Sequence, residues 1–301
     1  MRKKLVRSSL VAAACVAAGI TVGARGGVVV DGTINGAEGY GGPIATQTVN
    51  TGFGDSTVGD GTSGGGSELD AAYGVVQNGN LYVFLSGNVE DNGNHVNLFI
   101  SDGRAGQSTL SVPATGTLQA MNGSVFSPGF QATYAMDIND YLETDYVEEY
   151  TYSGPGALSG GYIGSIPVAG GIGTGTPGIA TIGWNDTNAA GVNGNAGTAA
   201  DPVAADAVTT GMEVAIPLSA LGNPANGTSI LVLADINGGG DTYLSNQFLP
   251  GLPVGTGNLG TQTFNFGGTP GEYFAITVPE PASIAVLGGA VLMLFSRRRR
   301  M

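Results

Sequence analysis

The chain has 301 residues, 54 of them glycine, and 23 carboxylates against 10 Lys and Arg, for a net charge of −13. Residues 31–278 hold 22 of those carboxylates and a single cation, Arg104, so this stretch alone carries −21. Such a surface repels phosphate backbones, which proteins neutralise with Lys and Arg, and nucleic-acid binding is excluded.

Residues 1–7 are basic, residues 8–23 are small and apolar, and Val22-Gly23-Ala24 places small residues at the −3 and −1 positions a signal peptidase requires. Residues 1–24 therefore read as a signal peptide cut after Ala24. A rival lipoprotein reading, with acylation at Cys15, meets Ala12-Ala13-Ala14 where leucine is preferred. Cys15 is the only cysteine, so a mature chain has no internal disulfide and must depend on the size of its core.

Residues 25–278 read as one domain with a periodicity of two. Leu81, Val83 and Leu85 alternate with Tyr82, Phe84 and Ser86; Val96, Leu98 and Ile100 alternate with His95, Asn97 and Phe99; Met212, Val214 and Ile216 alternate with Glu213 and Ala215. Each run has the length and pattern of a half-buried strand. Residues 230–234 are continuously apolar and read as a central strand buried on both faces. Further strands are expected over 130–138, 146–152, 161–168, 179–184, 261–266 and 272–278, with turns at Asn78-Gly79, Asn92-Gly93 and Asn237-Gly238. The one expected helical turn is 217–221, stopped by Gly222. Many strands with no helix long enough for a βαβ crossover predict an all-β antiparallel sandwich or jelly roll.

The pattern resembles the carbohydrate-binding family 9-like and DOMON-like sandwiches at three places: Asp31-Gly32-Thr33-Ile34, Leu81-Tyr82-Val83 running to Glu90-Asp91-Asn92, and residues 213–222, Glu-Val-Ala-Ile-Pro-Leu-Ser-Ala-Leu-Gly. The resemblance implies a sandwich fold. It implies a sugar site less well, because those modules clamp sugar between tryptophans and this chain has only Trp184. Tyr146, Tyr150 and Tyr152 share one strand face and would form a sugar-stacking platform if exposed, or core if buried.

In Asp235-Ile236-Asn237-Gly238-Gly239-Gly240-Asp241, Asp at position 1, Asn at 3 and Asp at 7 offer hard oxygen ligands suited to calcium, although Gly239 and Asn246 stand where an EF-hand needs ligands. No other cofactor is implied. His95, the only histidine, has no partner histidine or mature cysteine for zinc and reads as a surface polar residue. Glu148 and Glu149 are adjacent in a strand and point to opposite faces, which is unsuited to a glycosidase pair. Gly-x-Gly-x-x-Gly occurs at Gly173 and at Gly255, and neither opens a helix, so both read as loops.

At the C-terminus, Val278-Pro279-Glu280-Pro281 precedes an apolar run over 284–295 and then Arg297, Arg298, Arg299 and Arg300. Motif, short apolar helix and basic end together resemble the PEP-CTERM sorting signal over 279–301. That resemblance implies processing by an exosortase and release to the cell surface or extracellular matrix. Residues 282–296 as helix span roughly 22 Å at ~1.5 Å per residue, short of a ~30 Å bilayer core, which suits a transient inner-membrane anchor. The arginines would remain cytoplasmic, leaving the domain outside. The leading reading is a non-enzymatic surface or matrix protein that meets signal peptidase, exosortase and extracellular polysaccharide. The alternative is a carbohydrate- or calcium-binding module, and a secreted hydrolase comes third.

Overall fold

The computed structural model describes residues 26–53, 66–114 and 116–280. The signal segment, Pro281, the apolar tail and Arg297 to Arg300 lie outside the described residues. Among the described residues no helix is long and apolar enough to cross a membrane.

The strands in chain order are β1 (Ala45–Thr46), β2 (Glu68–Gln77), β3 (Asn80–Asn88), β4 (Asn92–Ser101), β5 (Tyr134–Tyr141), β6 (Thr144–Gly154) and β7 (Ala157–Pro167). They continue with β8 (Ile172–Gly175), β9 (Thr181–Asn185), β10 (Gly211–Pro217), β11 (Ser229–Asn237), β12 (Leu244–Leu249) and β13 (Phe274–Thr277). Two antiparallel sheets pack as a sandwich. The first has the order β1-β2-β3-β10-β9-β8 and the second β12-β11-β4-β5-β6-β7, with β13 pairing β11 beside β12. Alternation decides what each strand buries: Leu81, Val83 and Leu85 of β3, Val96, Leu98 and Ile100 of β4, and Ile230, Val232 and Ala234 of β11 all join the core between the sheets. Trp184 of β9 is buried in that core.

Both outer faces are covered in part. On the second sheet, Phe99, Tyr150, Tyr152 and Leu233 lie beneath a long excursion between β4 and β5, whose Phe126 and Phe130 rings sit 4.9 Å apart. Phe248, Phe264 and Phe266 extend this cluster. Residues 261–266 are therefore an aromatic plug and not the expected strand. Their only ladder contact is an isolated bridge from Asn265 to Val125. The expected helical turn at 217–221 is a hydrogen-bonded turn closed by Asn223 N–H to Leu218 O, 2.8 Å. The short helix α1 (Pro202–Asp206) forms instead where Asp201 caps the N–H of Val203 and Pro202 opens the first turn. Gly173 and Gly175, expected in a loop, are part of β8.

On the first sheet the N-terminal segment covers Tyr73, Tyr82 and Phe84. Glu213 of β10 anchors it, accepting from Asp31 N–H at 2.9 Å, Gly32 N–H at 3.2 Å and the Tyr40 hydroxyl at 2.6 Å. Gly32 is required here, since φ is +75° and a Cβ would come within 2.6 Å of the backbone of Trp184 and Asn185. The Asp-Gly and Glu-Val-Ala-Ile stretches singled out in the sequence thus meet in space.

Burial pushes the Glu213 carboxyl from its ordinary 4.5 up to about 7, against the pull of its three donors. Between those values the folded chain holds more protons at Glu213 than the unfolded chain does. Glu213's contribution should therefore make stability fall as pH rises through that window and level off above it. In Glu213→Gln the amide oxygen can still accept from the backbone while the Tyr40 hydroxyl accepts from the amide, so the variant should fold. Melting at about pH 5 and about pH 8 checks this, because the wild-type advantage over E213Q should shrink towards the higher pH.

Candidate cation site

The outer face of the second sheet is apolar at one end and polar at the other. Pairing registers set the polar end in two rungs. Asp235, Asn97, Asp137 and Glu148 lie side by side on β11, β4, β5 and β6, and the next rung is Asn237, His95, Asn139 and Tyr146. Period two places all eight on one face. Asp241 reaches the same place from the loop after β11, with a left-handed φ of 50° that follows Gly240.

This region is dry. Asn97, Asp137, Asp235 and Asn237 are fully buried, Asp241 is 1 % exposed and His95 4 %. His95, expected at the surface, is instead buried, with Asp241 of the loop after β11 close by. His95 Nδ1 lies 2.9 Å from Asp137 Oδ2 and 3.1 Å from Oδ1. Asn139 Nδ2 donates to the Gly93 carbonyl at 3.0 Å, which fixes its amide, and also lies 2.6 Å from His95 Nε2. Nε2 must then accept and Nδ1 carry the proton donated to Asp137. Burial alone lowers the pKa of His95, but Asp137, Asp241 and Glu148 together raise it above the ordinary value.

Asp241 organises the loops. One carboxylate oxygen accepts from the Leu118 N–H and the other from Asn237 Nδ2 at 2.5 Å, while its carbonyl accepts from the Ala120 N–H at 2.7 Å. Asn97 Nδ2 donates to Asp235 Oδ2 at 3.4 Å. Both amides therefore turn their N–H groups towards carboxylates, leaving Asn97 Oδ1, Asn237 Oδ1 and Asp235 Oδ1 buried with no hydrogen-bond partner among the described residues. Glu148 accepts from the Thr117 hydroxyl at 2.7 Å and from the Tyr150 hydroxyl.

Three buried carboxylates in one place are costly unless neutralised. Burial, aided by Asp241, holds Asp235 well above the ordinary carboxylate range, and burial, aided by Asp137, lifts Asp241 to about 8. Arg104, the only Lys or Arg in residues 26–280, is paired with Asp102. Ligand atoms of His95, Asp137 and Asp241 all lie within 4.8 Å of one another. Both nitrogens of His95 are engaged, Nδ1 with Asp137 and Nε2 with Asn139. What remains is a set of oxygens, from three carboxylates and two amides, and this is the donor chemistry of calcium.

Of the loop residues singled out in the sequence, Asn237 is hydrogen-bonded to Asp241, and Asp235 stands in the adjoining rung beside Asn97. Asn97, Asp137 and His95 were not anticipated, because only strand register brings them there. The four aromatic candidates separate. Tyr150 and Tyr152 are buried under the excursion and Trp184 is in the inner core, out of reach of a sugar, while Tyr146 is exposed beside Tyr162 with ring centroids 6.5 Å apart. Glu148 and Glu149 do not face one another: Glu148 belongs to the outer-face rung, and Glu149, next along the strand, points to the opposite face beside Tyr134. Of the sorting motif, Val278 is buried and bonded to Thr228 O at 2.9 Å, which ties the tail's starting point to the sandwich.

No family model matches the chain, and no curated protein or solved structure matches it either.

Proposed function

We propose that this chain is an exported, non-enzymatic surface or matrix protein whose sandwich holds calcium at Asp137, Asp235 and Asp241, with Asn97 and Asn237. The observation that carries the calcium half is the three buried acceptor oxygens of Asn97, Asn237 and Asp235, which among the described residues have no donor and lie among carboxylates with no free Lys or Arg. Calcium would tie β11, β4 and β5 to the loop after β11 and, through Asp241, to the excursion that covers the sheet. A catalytic reading has less support. His95 Nε2 faces an amide donor where a hydrolase would place its nucleophile, and the cluster is sealed from substrate. A glycan contact rests on Tyr146 and Tyr162 alone.

Export and sorting rest on the resemblance of the ends. Intact-mass spectrometry of the protein recovered from the surface of a host with an exosortase tests them. The expected mass has an N-terminus near Arg25 and no residues beyond the Pro-Glu-Pro motif, and a mass that retains Arg297 to Arg300 overturns the sorting reading. For the calcium half, titration of the chelator-treated chain should show saturable binding, weakened by Asp235→Asn with Asp241→Asn.

A further inference from the structure

A second group of carboxylates lies on the other side of the same sheet. Asp140 of β5 and Asp145 of β6 are direct cross-strand partners flanking the hairpin turn between those strands. Their neighbours two residues inward, Ile138 and Val147, belong to the core between the sheets, so both aspartates face inward, away from the first site. Asp186, just past the end of β9, faces them from the opposite sheet, and the Asp140 carboxylate is within hydrogen-bonding reach of both Asp145 and Asp186. Asp91 approaches from the turn before β4.

Burial here is complete: Asp145 is 0 %, Asp140 1 % and Asp186 2 % exposed. Both oxygens of Asp145, both of Asp140 and Oδ1 of Asp91 are buried without a hydrogen-bond donor among the described residues. Buried carboxylate oxygens without a donor need something positive beside them, either a proton or a cation. Burial, reinforced by Asp140 and Asp186, makes a bare charge on Asp145 costly.

The local backbone holds the group in place. Leu142 and Glu143 in the turn both have left-handed φ, 53° and 54°, without being glycine. Glu143 N–H donates to Asp91 Oδ2 at 2.9 Å, and Asp186 N–H donates to Gly171 O at 2.9 Å. A Cβ on Gly171 would lie 2.1 Å from Asp186 Oδ1, so glycine there leaves room for the carboxylate. All the donor atoms in the group are hard oxygens, which suits calcium better than a transition metal.

We propose that Asp140, Asp145 and Asp186, with Asp91, bind a second divalent cation of the calcium class between the two sheets, pinning the β5–β6 hairpin to the end of β9. This site shares no residue with the outer-face site and stands or falls separately from it.

Equilibrium dialysis of the chelator-treated full chain against calcium, with terbium luminescence as a second readout, tests the proposal. Trp184, the only tryptophan, lines the same small cavity as Asp186, so terbium sensitised through tryptophan reports this site in particular. Wild type should bind two calcium ions. Asp140→Asn with Asp145→Asn should bind one and lose the tryptophan-sensitised emission, whereas Asp235→Asn with Asp241→Asn should bind one and keep it. Asparagine preserves shape and relieves repulsion, and Asp186→Asn offers the same test if the double variant does not fold. The proposal is overturned if D140N/D145N retains wild-type stoichiometry and emission. It is equally overturned if wild type binds no calcium, or only one ion that D235N/D241N removes, which would leave protons shared between these carboxyls. If D235N/D241N loses nothing while D140N/D145N loses an ion, this site stands and the outer-face site falls.

Discussion

Phe126→Ala should destabilise the folded chain by about 3–5 kcal/mol, the usual cost of truncating a buried phenylalanine, and should weaken calcium binding at the same time. Phe126 is 2 % exposed and its ring packs against Phe99, Phe130 and Phe264. It is the hub that fastens the excursion to the outer face of the second sheet. That excursion carries Leu118, whose N–H holds the Asp241 carboxylate, and Thr117, which holds Glu148. Loosening it should free Asp241 from its place above Asp235 and raise the Kd for calcium. Phe84→Ala is the matched control. Phe84 is fully buried on the outer face of the other sheet, against Tyr40 and Tyr73. Its loss should cost a similar ~3–5 kcal/mol and leave calcium affinity unchanged. Urea denaturation combined with calcium titration of both variants separates the two effects. Equal calcium affinities in F126A and F84A would contradict the coupling.

The strands legible in the sequence were those whose two faces differ. β3, β4 and β10 alternate because one face meets the core, and β11 stands out because both faces are apolar. β2 is hidden by the same logic. Its Glu68 and Asp70 are buried because Asn188 Nδ2 reaches both carboxylates, and Val192 N–H donates to Asp70 at 2.8 Å. Its Gly74 is small because a Cβ would lie 2.2 Å from Ile276 Cδ1. β12 is hidden likewise: Ser245, Asn246 and Gln247 are fully buried, and Asn246 Nδ2 bonds to Asn50 O at 2.8 Å. A strand that buries polar side chains against loops shows no period-two hydrophobic signal.

The site was half legible for a related reason. Asp235, Asn237 and Asp241 are close in sequence, and their oxygen chemistry can be read locally. Asn97 and Asp137 are more than a hundred and nearly a hundred residues away, and they join only once β4 sits between β11 and β5. A signal did exist. Opposite the core-facing positions of β4, β5 and β11 stand His95, Asn97, Asp137, Asn139, Asp235 and Asn237, where an ordinary solvent face would mix in Ser, Thr, Lys and Glu. The tyrosine row divides into exposed Tyr146 and buried Tyr150 and Tyr152, because nothing in strand alternation reveals that a loop will cover part of that face.

Calcium should raise the melting temperature of residues 25–278 by roughly 5–10 °C. An ion that binds only the folded state stabilises it by about 2.7 kcal/mol at a hundredfold excess over Kd, and a domain above 200 residues gains ~2–4 °C per kcal/mol. Any cation also screens the repulsion of so acidic a chain, so magnesium is the necessary comparison. It screens as well as calcium but demands a tight octahedral shell and gives up its waters reluctantly, which a site of three carboxylates and two amides does not satisfy. Differential scanning calorimetry of the chelator-treated fragment in each ion, for wild type and for Asp235→Asn with Asp241→Asn, tests the outer-face site most directly. A calcium-specific rise that is at least halved in the double variant supports it. Equal rises in calcium and magnesium, or a calcium-specific rise that survives intact in D235N/D241N, would show that Asp235, Asn237 and Asp241 form an ordinary buried polar cluster.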